Sequence, residues 1–149
     1  RGLSFTIYAL VALFVMISPI VRKFNKISLI VFGLFSLSLS FLIIGFNTDN
    51  FTWIYIAMVM FGLGYGSLFP SVTSIVSENT DKFIRGKSYG ILYACYSVGV
   101  VVGSNYPGLF EYLFGKNSLN IGFEFYLAFI ILLFASLLIY RFSKSNNYV

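Results

Sequence analysis

The chain has no histidine, a single cysteine, three prolines and few charges: ten basic and five acidic residues in 149. Without histidine, His-based metal sites and His-dependent catalytic triads are excluded within these residues. Cys95 alone forms neither an internal disulfide nor a cluster with metal-ligand spacing. No H-E-x-x-H, no G-x-S-x-G and no pair of acids at depth is present, so no residue is assigned a catalytic role and no metal site or cofactor is expected. Charged residues make up 10% of the chain, against about 25% in an ordinary soluble domain.

What is present is apolar. Hydrophobic residues reach 58% and the mean hydropathy is +0.88. Five long runs can be marked, at about 2–21, 27–46, 52–76, 88–110 and 121–140. The first four contain no Asp, Glu, Lys or Arg, and the fifth contains only Glu124. Each is near the roughly 20 apolar residues that carry a helix across a bilayer. A soluble protein with buried helices would show amphipathic stripes instead. The expected class is therefore all-α, a polytopic transmembrane bundle of five spanning helices over 1–149. The chain opens on Arg1 rather than Met, and its first run is too long for a signal-peptide core. That run is expected to span, within a piece of a longer protein.

The charges lie in the turns. Arg22, Lys23 and Lys26 fill the first turn, Lys82, Arg85 and Lys87 the third, and Arg141 and Lys144 follow the last run. Set on one side, these eight face only Arg1 and Lys116 on the other. The excess of bases on the cytoplasmic side of membrane proteins places turns one and three in the cytoplasm, with 141–149 as a cytoplasmic tail. It also accounts for the net charge of +5 without a nucleic-acid partner. In the third turn, an Asp81–Arg85 pair at i, i+4 would be a surface contact.

The stretch from Phe61 to Gly108 organises the rest. Gly62, Gly64 and Gly66 are followed by Pro70. Gly62-x-x-x-Gly66 is a smooth face for a neighbouring helix, as is Gly33-Ser36-Ser40 in the preceding run. Pro70 has no N–H for the carbonyl of Gly66, so a bend is expected within a turn of Gly66. This is either a packing kink or the wall of a cavity. Beyond the charged turn, Tyr89, Tyr93 and Tyr96 make one stripe at i, i+4, i+7, before Gly99-x-x-x-Gly103. Tyr93 and Tyr96 are deep, and lipid around a bare hydroxyl is costly. They are expected to face protein or a cavity, and with Tyr65 they are the candidate solute-facing residues. Interhelical hydrogen bonding is the structural alternative. Glu124 is an acid near a membrane surface, with a coupling role as the functional reading.

The run G-L-G-Y-G-S-L-F-P, a turn with R-G-K, and then G-x-x-x-G-S-N-Y-P-G resembles the major facilitator superfamily of secondary transporters. Gly62, Gly66, Pro70, Arg85, Gly86, Gly90, Gly99 and Gly103 carry the likeness. In the family's antiport motif, G-x-x-x-G-P-x-x-G-G, Ser104 stands at the proline and Pro107 at a glycine, against a strict drug–proton antiport assignment. Ser18 to Lys26 is similar to a worn G-x-L-x-D-R-x-G-R-R/K loop: Arg22 stands at its acid, Lys23 and Lys26 keep its bases, and Ser18 and Asn25 replace glycines.

The resemblance implies the second half of a twelve-helix fold, helices eight to twelve, with a solute site near the midplane and alternating access by rocking. The implied partners are a small organic solute, neutral or amphipathic, the lipid bilayer, and the missing N-terminal half. The implied place is the cell membrane, and the chain is expected not to be an enzyme. A non-transporting receptor or scaffold of the same fold is the alternative.

Overall fold

The computed structural model describes residues 2–19, 24–46, 51–114 and 123–145. Within them the chain forms five helices: α1 (Gly2–Ile17), α2 (Lys26–Phe46), α3 (Phe51–Glu78), α4 (Arg85–Phe114) and α5 (Phe123–Ser145). Among the described residues, α2, α3 and the 124–144 stretch of α5 are long and apolar enough to cross a membrane. The apolar core of α1, Ser4–Ile17, is shorter. The 30 residues of α4 are long enough, but glycine, serine and tyrosine dilute their hydropathy.

Local chemistry sets the ends. The α1 helix closes at Ile17, short of the expected Val21. Ser18 N–H still bonds back to Phe14 at 3.0 Å, but Pro19 has no N–H to continue the ladder and disfavours helical geometry just before it. Asn25 caps α2: its Oδ1 accepts from the N–H of Ile27 at 3.2 Å. The α3 helix ends where Asn79 turns its side chain back to the carbonyl of Ile75, at 2.9 Å. Residues 82–84 form a turn closed by Ile84 N–H on the Asp81 carbonyl, at 3.1 Å. The last helix runs past Tyr140 into the stretch assigned to the tail, ending at Ser145.

The turn corrects one expectation. Asp81 precedes α4, so the helical i, i+4 spacing that would bring it to Arg85 is absent, and no such ion pair forms among the described residues. Lys26 pairs instead with Glu78, tying the start of α2 to the end of α3. Both side chains are substantially solvent-exposed, so this is a weak tether.

The interior is made of small residues. Ser36, Ser38, Ser40 and Ser71 are the largest fully buried side chains. Phe14, Ile17, Phe134, Leu137 and Phe142 point outward. This inversion fits a lipid setting, where apolar burial gives helices no reason to associate and close backbone approach does. Three glycines of α3 make that approach in two directions. A Cβ on Gly62 would lie 2.7 Å from the carbonyl oxygen of Tyr8, and one on Gly66 2.8 Å from that of Ala12, both on α1. A Cβ on Gly64 would lie 2.7 Å from the carbonyl oxygen of Gly33 on α2, and one on Gly33 2.8 Å from that of Gly64. So α3 is wedged between α1 and α2.

On its far side α2 meets α5. The Tyr126 hydroxyl donates to the carbonyl of Gly45 at 3.1 Å, and the Ser136 hydroxyl to that of Val31 at 3.2 Å. These two bonds make the pair antiparallel. The α5 helix is thus lipid-facing on one side only, the other resting on α2. The α4 helix stands largely apart: Ile91, Val98, Val100, Val101 and Val102 are all exposed, and it meets the bundle chiefly along α3.

Helix α3 runs without interruption through Pro70. Hydroxyls line the same segment. Ser67 donates to Leu63 at 2.8 Å, Ser71 to Ser67 at 2.7 Å, and Thr73 to both Phe69 and Pro70 at 3.0 Å. Such back-bonding gives helix carbonyls near the proline an extra donor.

Candidate functional site

With α3 committed to α1 through Gly62 and Gly66 and to α2 through Gly64, its remaining face carries Tyr65 and Phe69 towards α4. Their rings stack, with centroids 5.7 Å apart and planes 16° from parallel. Phe69 meets Tyr93 of α4 at 6.4 Å, and Tyr93 lies over Tyr89 at 6.5 Å. The Tyr65 hydroxyl lies against Tyr96, with Tyr8 of α1 and Tyr93 also near. The three tyrosines singled out from the sequence, Tyr65, Tyr93 and Tyr96, therefore come together. Phe69 continues the stack, and Tyr8 of α1 lies near Tyr65.

The cluster is open. Tyr93 is 47% exposed and Tyr96 51%, so their rings cover α3 on one side and leave the other free. Phenol hydroxyls donate and accept, and their rings offer flat apolar faces. The chemistry of such a surface is stacking together with one or two hydrogen bonds. Charge is absent from it, and among the described residues no group of His, Cys, Asp or Glu could hold a metal ion.

Tyr89, at the start of the same stripe, has a partner on α3. Its hydroxyl donates to the carbonyl of Thr73 at 3.1 Å and clamps the start of α4 to α3. Asn105, which needs a partner at depth, finds one on its own helix, the Val101 carbonyl at 2.8 Å. Tyr8 was not singled out from the sequence. The one available signal was its place in a polar stripe with Ser4, and which helix that stripe meets depends on the glycine contacts of α3.

A sequence model of the Major Facilitator Superfamily matches residues 2–147. The chain belongs to the major facilitator superfamily. A curated relative, "Multidrug resistance protein 2" of Bacillus subtilis (strain 168), is 30% identical over 116 residues, covering 78% of this chain and 27% of the relative. The chain thus spans about a quarter of that protein's length. No solved structure matches it.

Several residues that carry the superfamily likeness have a defined setting. Lys26 is held by Glu78, while Arg22 and Lys23 lie outside the described residues. Arg85 is half-buried at the head of α4, and its Nε has no hydrogen-bond partner among the described residues. A Cβ on Gly86, Gly90, Gly99 or Gly103 would meet nothing within 4 Å. The expected packing face of α4 is therefore bare among the described residues. Gly99 and Gly103 instead line a groove of about 700 Å³ between α4 and α5, floored by Phe41 of α2. Half-buried Glu124 lies at this groove with Phe125 and Ala128.

Proposed function

We propose that this chain is the second-half portion of a transporter that moves a small organic solute across the cell membrane by alternating access. The observation that carries the reading is the open tyrosine cluster of α1, α3 and α4 in a chain of this superfamily. Aromatic faces and neutral hydroxyls suit a neutral or amphipathic organic solute better than a small inorganic ion. The relative's name, which speaks of multidrug resistance, agrees with a solute of that kind. Tyr65, Tyr93 and Tyr96 are the solute-facing residues in this proposal, and Pro70 marks the hinge.

The bare face of α4 supports the second element, a missing N-terminal half. Gly62 and Gly66 on α3 receive the backbone of α1, and Gly99 and Gly103 repeat their spacing with nothing against them. Helices from the rest of a longer protein would fill that side. Among the described residues Glu124 is the one acid set against the groove, and it is the proposed coupling residue of this portion. Catalysis is no part of the reading.

The experiment is flux. Full-length protein in sealed proteoliposomes should move organic solutes across the bilayer, and should lose that flux when Tyr65 and Tyr96 are changed together to Phe. Solute binding without flux would overturn transport in favour of a receptor or scaffold.

Orientation has its own test. With turns one and three in the cytoplasm, single cysteines at Asn25 and Asn117, in a chain with Cys95 replaced, should label from opposite sides of intact cells. The excess of bases on one side supports this. Labelling of both from outside would reject it.

A further inference from the structure

The outer faces of α2 and α5 enclose a second groove, of about 400 Å³, that the solute reading does not use. Its walls include Val31, Phe32 and Phe35 of α2, with Ser136, Tyr140 and Ser143 of α5. We propose that this groove binds one acyl chain of an anionic phospholipid, whose phosphate is held at the end carrying Arg141 and Lys144.

Four observations support it. The groove is apolar and aromatic, as a hydrocarbon chain requires. It runs from Ile27 to Phe35 along α2, which at 1.5 Å per residue is about 12 Å. That is close to the depth of one leaflet, half of a hydrocarbon core about 30 Å thick. At its end Ser143 is only 5% exposed, and its hydroxyl has no hydrogen-bond partner among the described residues. A buried hydroxyl without an acceptor is a standing cost, and a lipid ester or phosphate oxygen would accept from it.

Charge is the fourth. The antiparallel pairing that puts Tyr126 on Gly45 and Ser136 on Val31 brings Ser143 level with the start of α2. Arg141 and Lys144 are exposed at that level. Lys26, also there, is already held by Glu78. Two bases with no ion-pair partner among the described residues, set above an apolar slot, select an anionic headgroup over a zwitterionic one.

The test is photolabelling of the full-length protein in phosphatidylcholine vesicles doped with a diazirine-tailed phosphatidylglycerol or a diazirine-tailed phosphatidylcholine. Peptide mapping should place phosphatidylglycerol adducts on Phe32, Phe35 and Tyr140, well above those from the phosphatidylcholine probe. Changing Arg141→Gln and Lys144→Gln should lower this labelling roughly fivefold for each charge removed. Ser143→Ala should lower it too while leaving thermal stability unchanged or raised, because the hydroxyl it removes has no partner among the described residues. Adducts spread evenly along the exposed sides of α4 and α5 would overturn the site. Equal labelling by the two probes would overturn its choice of headgroup. A loss of stability in Ser143→Ala with labelling unchanged would make the hydroxyl structural and refute its role here.

Discussion

Gly64→Ala should destabilise the protein strongly. The new Cβ would sit 2.7 Å from the Gly33 carbonyl oxygen and 2.8 Å from Cγ of Leu37. The first is backbone, which no rotamer change moves aside, so α2 and α3 must separate. Overpacking of this kind costs about 1–3 kcal/mol, more than the roughly 1 kcal/mol that alanine gains over glycine in a helix. Gly33→Ala should behave alike, since the contact is mutual, and the two together should lose less than the sum of their separate losses. Thermal unfolding in detergent, followed by loss of the monodisperse species, measures it. A melting temperature unchanged in Gly64→Ala would mean that the two helices are not in contact there. Gly99→Ala is the comparison. It meets nothing within 4 Å in this chain, so a loss of stability in the full-length protein would report a helix arriving from elsewhere.

The second large effect is expected in transport rather than stability. Tyr65→Phe keeps the ring that stacks on Phe69 at 5.7 Å and removes the hydroxyl that lies against Tyr96. If solute takes a hydrogen bond from this cluster, KM should rise roughly two- to tenfold, the range of one net hydrogen bond. Tyr96→Phe should do the same, and Tyr93→Phe less, since its contacts to Phe69 and Tyr89 are made by the ring. Protein abundance and melting temperature should change little, because bonds between helices in membranes average only about 0.6 kcal/mol. Transport per molecule preserved with melting temperature lowered would make the tyrosines struts between α3 and α4, and would sink the site. Tyr89→Phe should fall on that side, because its hydroxyl is spent on the Thr73 carbonyl.

How much of this was visible beforehand depends on the signal each feature leaves. Helix number came from charge-free length, a strong signal. Gly62 and Gly66 were recognisable as a packing face, and Gly33, Ser36 and Ser40 as another. Their partners were not. In a helix apolar all round, no stripe of hydrophobic residues marks the buried side, so the usual periodicity is silent. For that reason nothing in the 121–140 run marks the side on which Ser136 and Tyr126 anchor it to α2. Gly64 drew notice only as one of three glycines, although it alone faces away from α1. The turn at Asp81 was read as a helical spacing when the chain is not helical there. Tyr65, Tyr93 and Tyr96 could be gathered on paper because two helices in sequence order carry them. Tyr8 could not, since it arrives through a contact that only the glycine geometry of α3 defines.

The isolation of α4 bears on how the protein is made. Helices leave the ribosome in order, so α1, α2 and α3 can lock together through their glycines before α4 appears. The next helix to emerge, α5, does not dock on α4 but reaches back to α2, through Tyr126 and Ser136. For that interval α4 is a newly inserted segment tied down chiefly at its start, by Tyr89 on Thr73. Docking of α4 is therefore the least supported step in assembling this portion, and it waits on contacts to its glycine face that the other described helices do not make.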